Sequence, residues 1–302
     1  MIYVIGSNSY IGKKISHMFN KKEIKKISTK AGKNIIKTNI FNKKCDDKWQ
    51  KKINDDDVIF FMSSFGSMLS HKKNKKKITN KIKNLEKNFF KKINSNPKIV
   101  FFSSDMVYDG EKKYYKNNDK TNPLNDYGKT KVKIENLVKK YFKSYLILRL
   151  PKIYTKSPED KIFPFTDIKK VKQKKIIKIY DDNLNHYLNI KILMKFLSLK
   201  KIIKKNFIGT FNISDNKLSS RYDFITEFIK KNNYNLKLIS YIKKISYKVS
   251  KVKIPKQVVY FNNKKKNSKY LSNNFYYLNK KYDASLIFYF LNIFYQLMQN
   301  QY

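Results

Sequence analysis

Residues 1–12 read MIYVIGSNSYIG: an apolar run, then two glycines, Gly6 and Gly12, around a short polar turn. The run has the length of a buried strand, and the glycine-bounded polar residues after it predict a turn that opens directly into a helix. Glycines there let the backbone bend tightly and approach a pyrophosphate, whose charge the helix N-terminus favours. Working outward, apolar runs at Met1–Ile5, Val58–Met62, Ile99–Ser103 and Tyr145–Leu150 alternate with amphipathic stretches near Ile11–Asn20, Ile78–Ile93 and Gly128–Tyr141. That alternation predicts an α/β fold, a doubly wound parallel sheet of Rossmann type with helices on both faces.

After Pro151 the rhythm loosens. Lys152–Lys175 reads as loop and helix, Ile176–Tyr180 as a strand, and Ile190–Leu199 as a helix. Phe211–Ile213 reads as another strand, Ser220–Lys231 as a helix, Lys237–Tyr260 as β-rich and Asn262–Ser268 as a basic loop. The apolar stretch Ser285–Met298 is shorter than the ~20 residues needed to span a bilayer and is broken by Asn292 and Gln296. It reads as a packed helix begun by Asp283, with an interfacial membrane helix as the other reading. The expected organisation is a dinucleotide domain over 1–150 and a smaller substrate lobe over 151–302, with some later elements returning to the first sheet.

The formal charge of +46 invites a nucleic-acid reading. Yet Arg149 and Arg221 are the only arginines among 68 basic residues, alanine occurs only at Ala31 and Ala284, and Lys, Asn, Ile, Phe and Tyr abound. That bias is expected of codons drifting toward A and T. Arginine is the preferred side chain for bidentate contacts to bases and phosphates, and the lysines follow no single stripe. The expectation is a solvated lysine surface, with salt-sensitive anion binding but no specific nucleic-acid partner. Cys45 stands alone, and His17, His71 and His186 are scattered, so no metal site is expected. With no secretion signal and no membrane span, the expected location is cytoplasmic.

Three segments carry chemistry. In PLNDYGKTKVKIENL (residues 123–137), Tyr127 and Lys131 are four apart and so share one helix face. An ammonium held there favours phenolate, which predicts a lowered Tyr127 pKa and a proton-transfer pair. Ser104, 23 residues earlier, ends the apolar run in SSDMVYDG, at the carboxyl edge of the predicted sheet where ligands bind. Near the second predicted strand no Asp or Glu is available for a ribose hydroxyl. Ser28, Thr29 and Lys30 offer a 2′-phosphate site instead, so NADP(H) is expected over NAD(H).

Assembled, these residues resemble the extended short-chain dehydrogenase/reductases, and within them the dTDP-4-dehydrorhamnose reductase family of nucleotide-sugar reductases. The resemblance runs through GSNSYIG, FFSSDMVYDG, PLNDYGKTKVKIE, LILRLPKIY, IYDDNLNHYLNI and GTFNISDNKLSSRYDF. It implies NADPH-dependent reduction of a 4-keto nucleotide sugar in dTDP-rhamnose biosynthesis. Tyr127 would be the general acid, Lys131 would hold the nicotinamide ribose and tune Tyr127, and Ser104 would orient the substrate oxygen. Gly6, Ser9, Tyr10, Ile11 and Gly12 would line the pyrophosphate site. The sequence does not fix the oligomeric state; a homodimer is one assembly it leaves open.

The sequence departs from that pattern in places. Ser9 stands for the family's middle glycine, Met62-Ser63-Ser64 for small alanine-rich residues, and Asp182-Asn183 for Asp-Gln. Met106 occupies the place where related dehydratases carry a glutamate base, which argues against dehydration. Two alternatives stay open: an NAD(P)-dependent nucleotide-sugar epimerase, and a non-catalytic nucleotide-binding regulatory subunit of the same fold.

Overall fold

Four apolar runs become the centre of one parallel sheet because each is buried on both of its faces. In the computed structural model, residues 1–42, 45, 48–62, 75–112, 115–214, 218–246, 255 and 257–258 are described. The strands are β1 (Ile2–Ile5), β2 (Ile24–Ser28), β3 (Ile35–Lys37), β4 (Val58–Phe61), β5 (Lys98–Ser104), β6 (Tyr145–Leu150) and β7 (Lys152–Tyr154). They continue as β8 (Ile177–Tyr180), β9 (Leu184–Asn189), β10 (Gly209–Asn212), β11 (Leu218–Ser220), β12 (Ile242–Ile245) and β13 (Gln257–Val258). The described α-helices are α1 (Tyr10–Ser16), α2 (Lys75–Asn88), α3 (Asp126–Tyr141), α4 (Phe165–Lys172), α5 (Ile190–Leu197) and α6 (Arg221–Lys231).

The main sheet runs β10-β6-β5-β4-β1-β2-β3, and every pairing in it is parallel. Strand order reverses at β1, which sits between β2 and β4. That is the switch point at which doubly wound sheets bind ligands. β10 comes from the second half of the chain and pairs with β6, so the sheet is completed from beyond Leu150.

Alternate residues of each strand feed opposite cores. Val4, Phe60, Val100, Phe102, Leu146 and Leu148 face one side, with Ile15 of α1 and Leu193 and Phe196 of α5. Tyr3, Ile5, Ile59, Phe61, Phe101 and Ile147 face the other, with Leu85 of α2 and Ile134 and Val138 of α3. Side chains such as Phe60, Phe61 and Phe101 are fully buried, each worth about 1.5–3 kcal/mol relative to exposure. A third core, built on Phe163, Ile168, Val171, Ile225 and Ile229, lies in the later segment.

Several expectations are corrected. Lys152–Lys175 opens with a strand, since β7 pairs in parallel with β9. The stretch 184–189, given no element by the sequence reading, is β9; its asparagines and histidine hide the apolar alternation of a half-buried strand. Leu236–Tyr241 is a 3-10 helix, so among the described residues of the β-rich reading the strands are β12 and β13. α2 begins at Lys75 and ends at Asn88, with a 3-10 turn over Phe90–Lys92. Residues 63, 64, 71, 262–268 and 283–298, named above, lie outside the described residues. No described helix is long and apolar enough to cross a membrane.

Candidate active site

β5 ends at Ser104, where the chain turns into a short 3-10 helix over Asp105–Val107. The Ser104 hydroxyl caps that turn, accepting from the Met106 amide at 3.3 Å and donating to Asp105 Oδ1 at 2.9 Å. α3 starts beside it. Asn125 caps α3, its Oδ1 accepting from the Gly128 amide at 2.8 Å, which fixes the first turn that carries Tyr127. A Cβ at residue 128 would collide with the Met106 carbonyl and come within 2.8 Å of Pro123. Glycine at that position is what lets the helix lie against the end of β5.

This packing brings the three residues together. Ser104 and the half-buried Tyr127 are joined by a side-chain hydrogen bond. One turn on, Lys131 is buried; its Nζ lies 5.8 Å from the Tyr127 ring centroid and donates to the Phe102 carbonyl at 2.8 Å. The expected lowering of the Tyr127 pKa is not what the surroundings give. Burial, followed by the negative charge of Asp105, pushes the phenol up to about 12, against the opposing hydrogen bond with Ser104. Burial likewise lowers Lys131 to about 8, with Glu135 pulling the other way. Removing both groups from water outweighs their attraction. The phenol therefore keeps its proton at neutral pH, as a general acid must.

Sequence reading passed over two carboxylates here. Asp105 is buried, and that burial raises it to about 6, against hydrogen bonds from Ser104 and the Met106 amide. Glu135, one turn beyond Lys131, accepts from Ser103 and takes Nε and Nη2 of Arg149, at 3.1 and 2.7 Å. Arg149 also donates to the Tyr108 hydroxyl at 2.7 Å, and Tyr108 donates to Asn212 of β10 at 2.8 Å. This network ties β5, α3, β6 and β10 together directly behind Ser104. The i, i+4 spacing of Lys131 and Glu135, and the rarity of arginine, were the available signals. The Asp-Gly of SSDMVYDG serves its own loop: Asp109 accepts from Tyr115 and, at 2.9 Å, from Asn122.

The glycine turn lies two strands away, roughly 10 Å at ~4.8 Å per strand, along the same carboxyl edge. A Cβ at Gly12 would run into the Gly6 carbonyl and the Ser7 backbone, so the turn is closed as tightly as a phosphate cradle requires. A cavity of about 430 Å³ opens there, lined by Gly6, Ser9, Ser28, Thr29, Lys30 and Thr38, among others. The chemistry of this lining fits a dinucleotide: backbone amides at a helix start for the pyrophosphate, hydroxyls and an ammonium for a ribose. Ser9 and Tyr10 are engaged otherwise. Ser9 Oγ caps α1 by accepting from the Gly12 amide at 3.1 Å. The Tyr10 phenol donates to Asp160 at 2.7 Å, which also takes Lys14 and Thr155. Ile11 packs against the core beneath. Among the described residues no group of His, Cys, Asp and Glu could hold a metal ion.

Known proteins of this shape include a dTDP-4-dehydrorhamnose reductase from Bacillus anthracis, solved in complex with NADP. It superposes with a TM-score of 0.67 at 18% identity, over 87% of this chain and 90% of that one. A dTDP-4-dehydrorhamnose reductase from Clostridium acetobutylicum gives 0.65 at 24% identity, over 86% and 89%. By sequence, the beta subunit of methionine adenosyltransferase 2 from Bos taurus is 24% identical over 141 residues, 41% of this chain. That match spans only 39% of the bovine protein's length. The RmlD substrate binding domain profile matches residues 1–273, and the chain belongs to that family.

Proposed function

We propose that the protein reduces the keto group of a 4-keto nucleotide sugar, with NADPH as the preferred reductant. The observation that carries this reading is the meeting of Ser104, Tyr127 and Lys131 at the carboxyl edge of the sheet. A bound nicotinamide would supply the hydride. Ser104 would donate to the substrate carbonyl oxygen and hold it toward Tyr127. Tyr127, protonated at neutral pH, would deliver its proton to that oxygen as negative charge develops. Lys131, anchored on the Phe102 carbonyl, would hold the cofactor ribose and stabilise the phenolate left behind. Gly6, Gly12 and the backbone of residues 9–11 would line the pyrophosphate, and Ser28, Thr29 and Lys30 would take the 2′-phosphate. Residues beyond Leu150, apart from β10, would form the lobe that holds the sugar nucleotide.

The test is a screen of purified protein against keto-sugar nucleotides with NADPH and NADH in parallel. One of these substrates should consume NADPH stoichiometrically and faster than NADH. No consumption with any of them would overturn the reading. A second reading, a non-catalytic regulatory subunit, draws support from the likeness to the methionine adenosyltransferase 2 beta subunit. It predicts nicotinamide binding without turnover.

A further inference from the structure

Arg149 is buried within the Glu135 network, which leaves Arg221 as the one arginine of the sequence with a partly exposed guanidinium. It occupies the first position of α6, where a cation opposes the helix dipole unless an anion is near. Lys152 opens β7 and is exposed. Both cations gather over a single aromatic ring: Lys152 Nζ lies 4.4 Å and Arg221 Cζ 5.8 Å from the Phe163 centroid.

The available carboxylates are already committed. Asp167 takes Arg221 through one oxygen, at 2.6 and 3.2 Å. Asp223 accepts from Ser220 at 2.7 Å. Among the described residues Lys152 makes no ion pair, while Arg221 and Lys170 repel it and Asp167 attracts it. Desolvation of the ammonium, followed by the charge of Arg221, lowers its pKa to about 8, although the residue as a whole is exposed.

This cluster adjoins the proposed reaction centre. Leu150 pairs with Ser104 in the sheet register, so Lys152 stands two residues beyond that position. Lys152 in turn registers with Tyr187 of β9, whose ring stacks on Phe163 at 5.5 Å and 15°. Tyr187 lies within electrostatic reach of Arg221 and of Asp105, as well as of Asp167 and Asp223. Two like charges gathered on one aromatic ring, one of them at a helix start, favour an anion between them.

We infer that Lys152 and Arg221, seated on Phe163, form an oxyanion subsite that holds a negatively charged group of the sugar-nucleotide substrate next to Tyr127. The inference rests on the function proposed above. The group is either the diphosphate or a carboxylate carried by the sugar. Both present the planar or tetrahedral oxygens that a guanidinium fork and an ammonium recognise.

Binding of UDP, dTDP, UDP-glucose and UDP-glucuronic acid to the full chain saturated with NADPH, at physiological ionic strength, tests it. Lys152→Gln and Arg221→Lys should each weaken an anionic ligand about tenfold, and Lys152→Glu further, while NADPH binding stays intact and reports the fold. A loss shared by all four ligands assigns the diphosphate. A loss confined to UDP-glucuronic acid assigns the sugar carboxylate. A control, Lys21→Gln with Lys22→Gln, removes remote positive charge and should change affinity by less than about twofold. Affinities within about twofold of wild type in every Lys152 and Arg221 variant would overturn the inference. An equal loss in the control would do the same. If the wild type turns over a keto-sugar while these variants bind normally, only this inference falls. If it neither binds nor reduces any nucleotide sugar, the proposed function falls with it.

Discussion

Replacing Arg149 with methionine strands a carboxylate. Glu135 and Arg149 have side chains only 2% and 4% exposed, and Arg149 supplies two of the three hydrogen bonds that Glu135 accepts. With Arg149 gone, Ser103 is the remaining donor to a charge that water cannot reach. Breaking one partner of a buried pair typically costs about 3–5 kcal/mol, a large share of a total stability of roughly 5–15 kcal/mol. Equilibrium urea unfolding of Arg149→Met should therefore show that loss as a lower midpoint at unchanged slope. The double variant Arg149→Met/Glu135→Leu removes both charges and should recover part of it. A single variant within about 1 kcal/mol of wild type, or a double variant losing the sum of the two singles, would refute the reasoning. The network backs both Ser104 and Lys131, so turnover should fall in the single variant even where it remains folded.

Tyr127→Phe should cut keto-sugar reduction by at least about 100-fold while leaving the NADPH dissociation constant nearly unchanged; equal activity would retire the acid assignment. Asp105, raised to about 6, gains its charge beside Tyr127 as pH rises through that value. The phenol then becomes a weaker acid, so kcat/KM for reduction should step down above pH 6, and Asp105→Asn should abolish the step. The same raised pKa means that the stability from a neutral Asp105 is present below the ordinary carboxylate range and is lost as pH rises through about 6. Stability measured across pH 4 to 7 in wild type and Asp105→Asn checks that sign. Gly128→Ala forces a methyl into the Met106 carbonyl; it should cost about 1–3 kcal/mol and lower kcat more than it weakens NADPH. Lys30→Glu should reduce the preference for NADPH over NADH about tenfold by steady-state kinetics.

The sheet was legible because its strands are buried on both faces and so read as unbroken apolar runs, as in Val58–Phe61 and Ile99–Phe102. The later strands were not. β7 has three residues and β9 carries two asparagines and a histidine, so neither shows an apolar pattern; tertiary pairing decides them. Ser104, Tyr127 and Lys131 were legible by spacing and by their place at a strand end and on a helix. Their electrostatics were not, because the Tyr127 pKa depends on burial and on Asp105, neither of which a spacing reveals. Lys152 and Arg221 were hidden for a different reason. In a chain with 68 basic residues, no single cation stands out until the fold sets two of them over one ring.

The central claim is that Ser104, Tyr127 and Lys131 reduce a sugar carbonyl beside a bound dinucleotide. The most direct measurement is the deuterium content of the product formed from a 4-keto nucleotide sugar with NADPH deuterated at the transferring position. The account predicts one deuterium on the former carbonyl carbon, with labelled product formed at least about 100-fold more slowly by Tyr127→Phe. Product without deuterium, or labelled product from Tyr127→Phe at the wild-type rate, would contradict it.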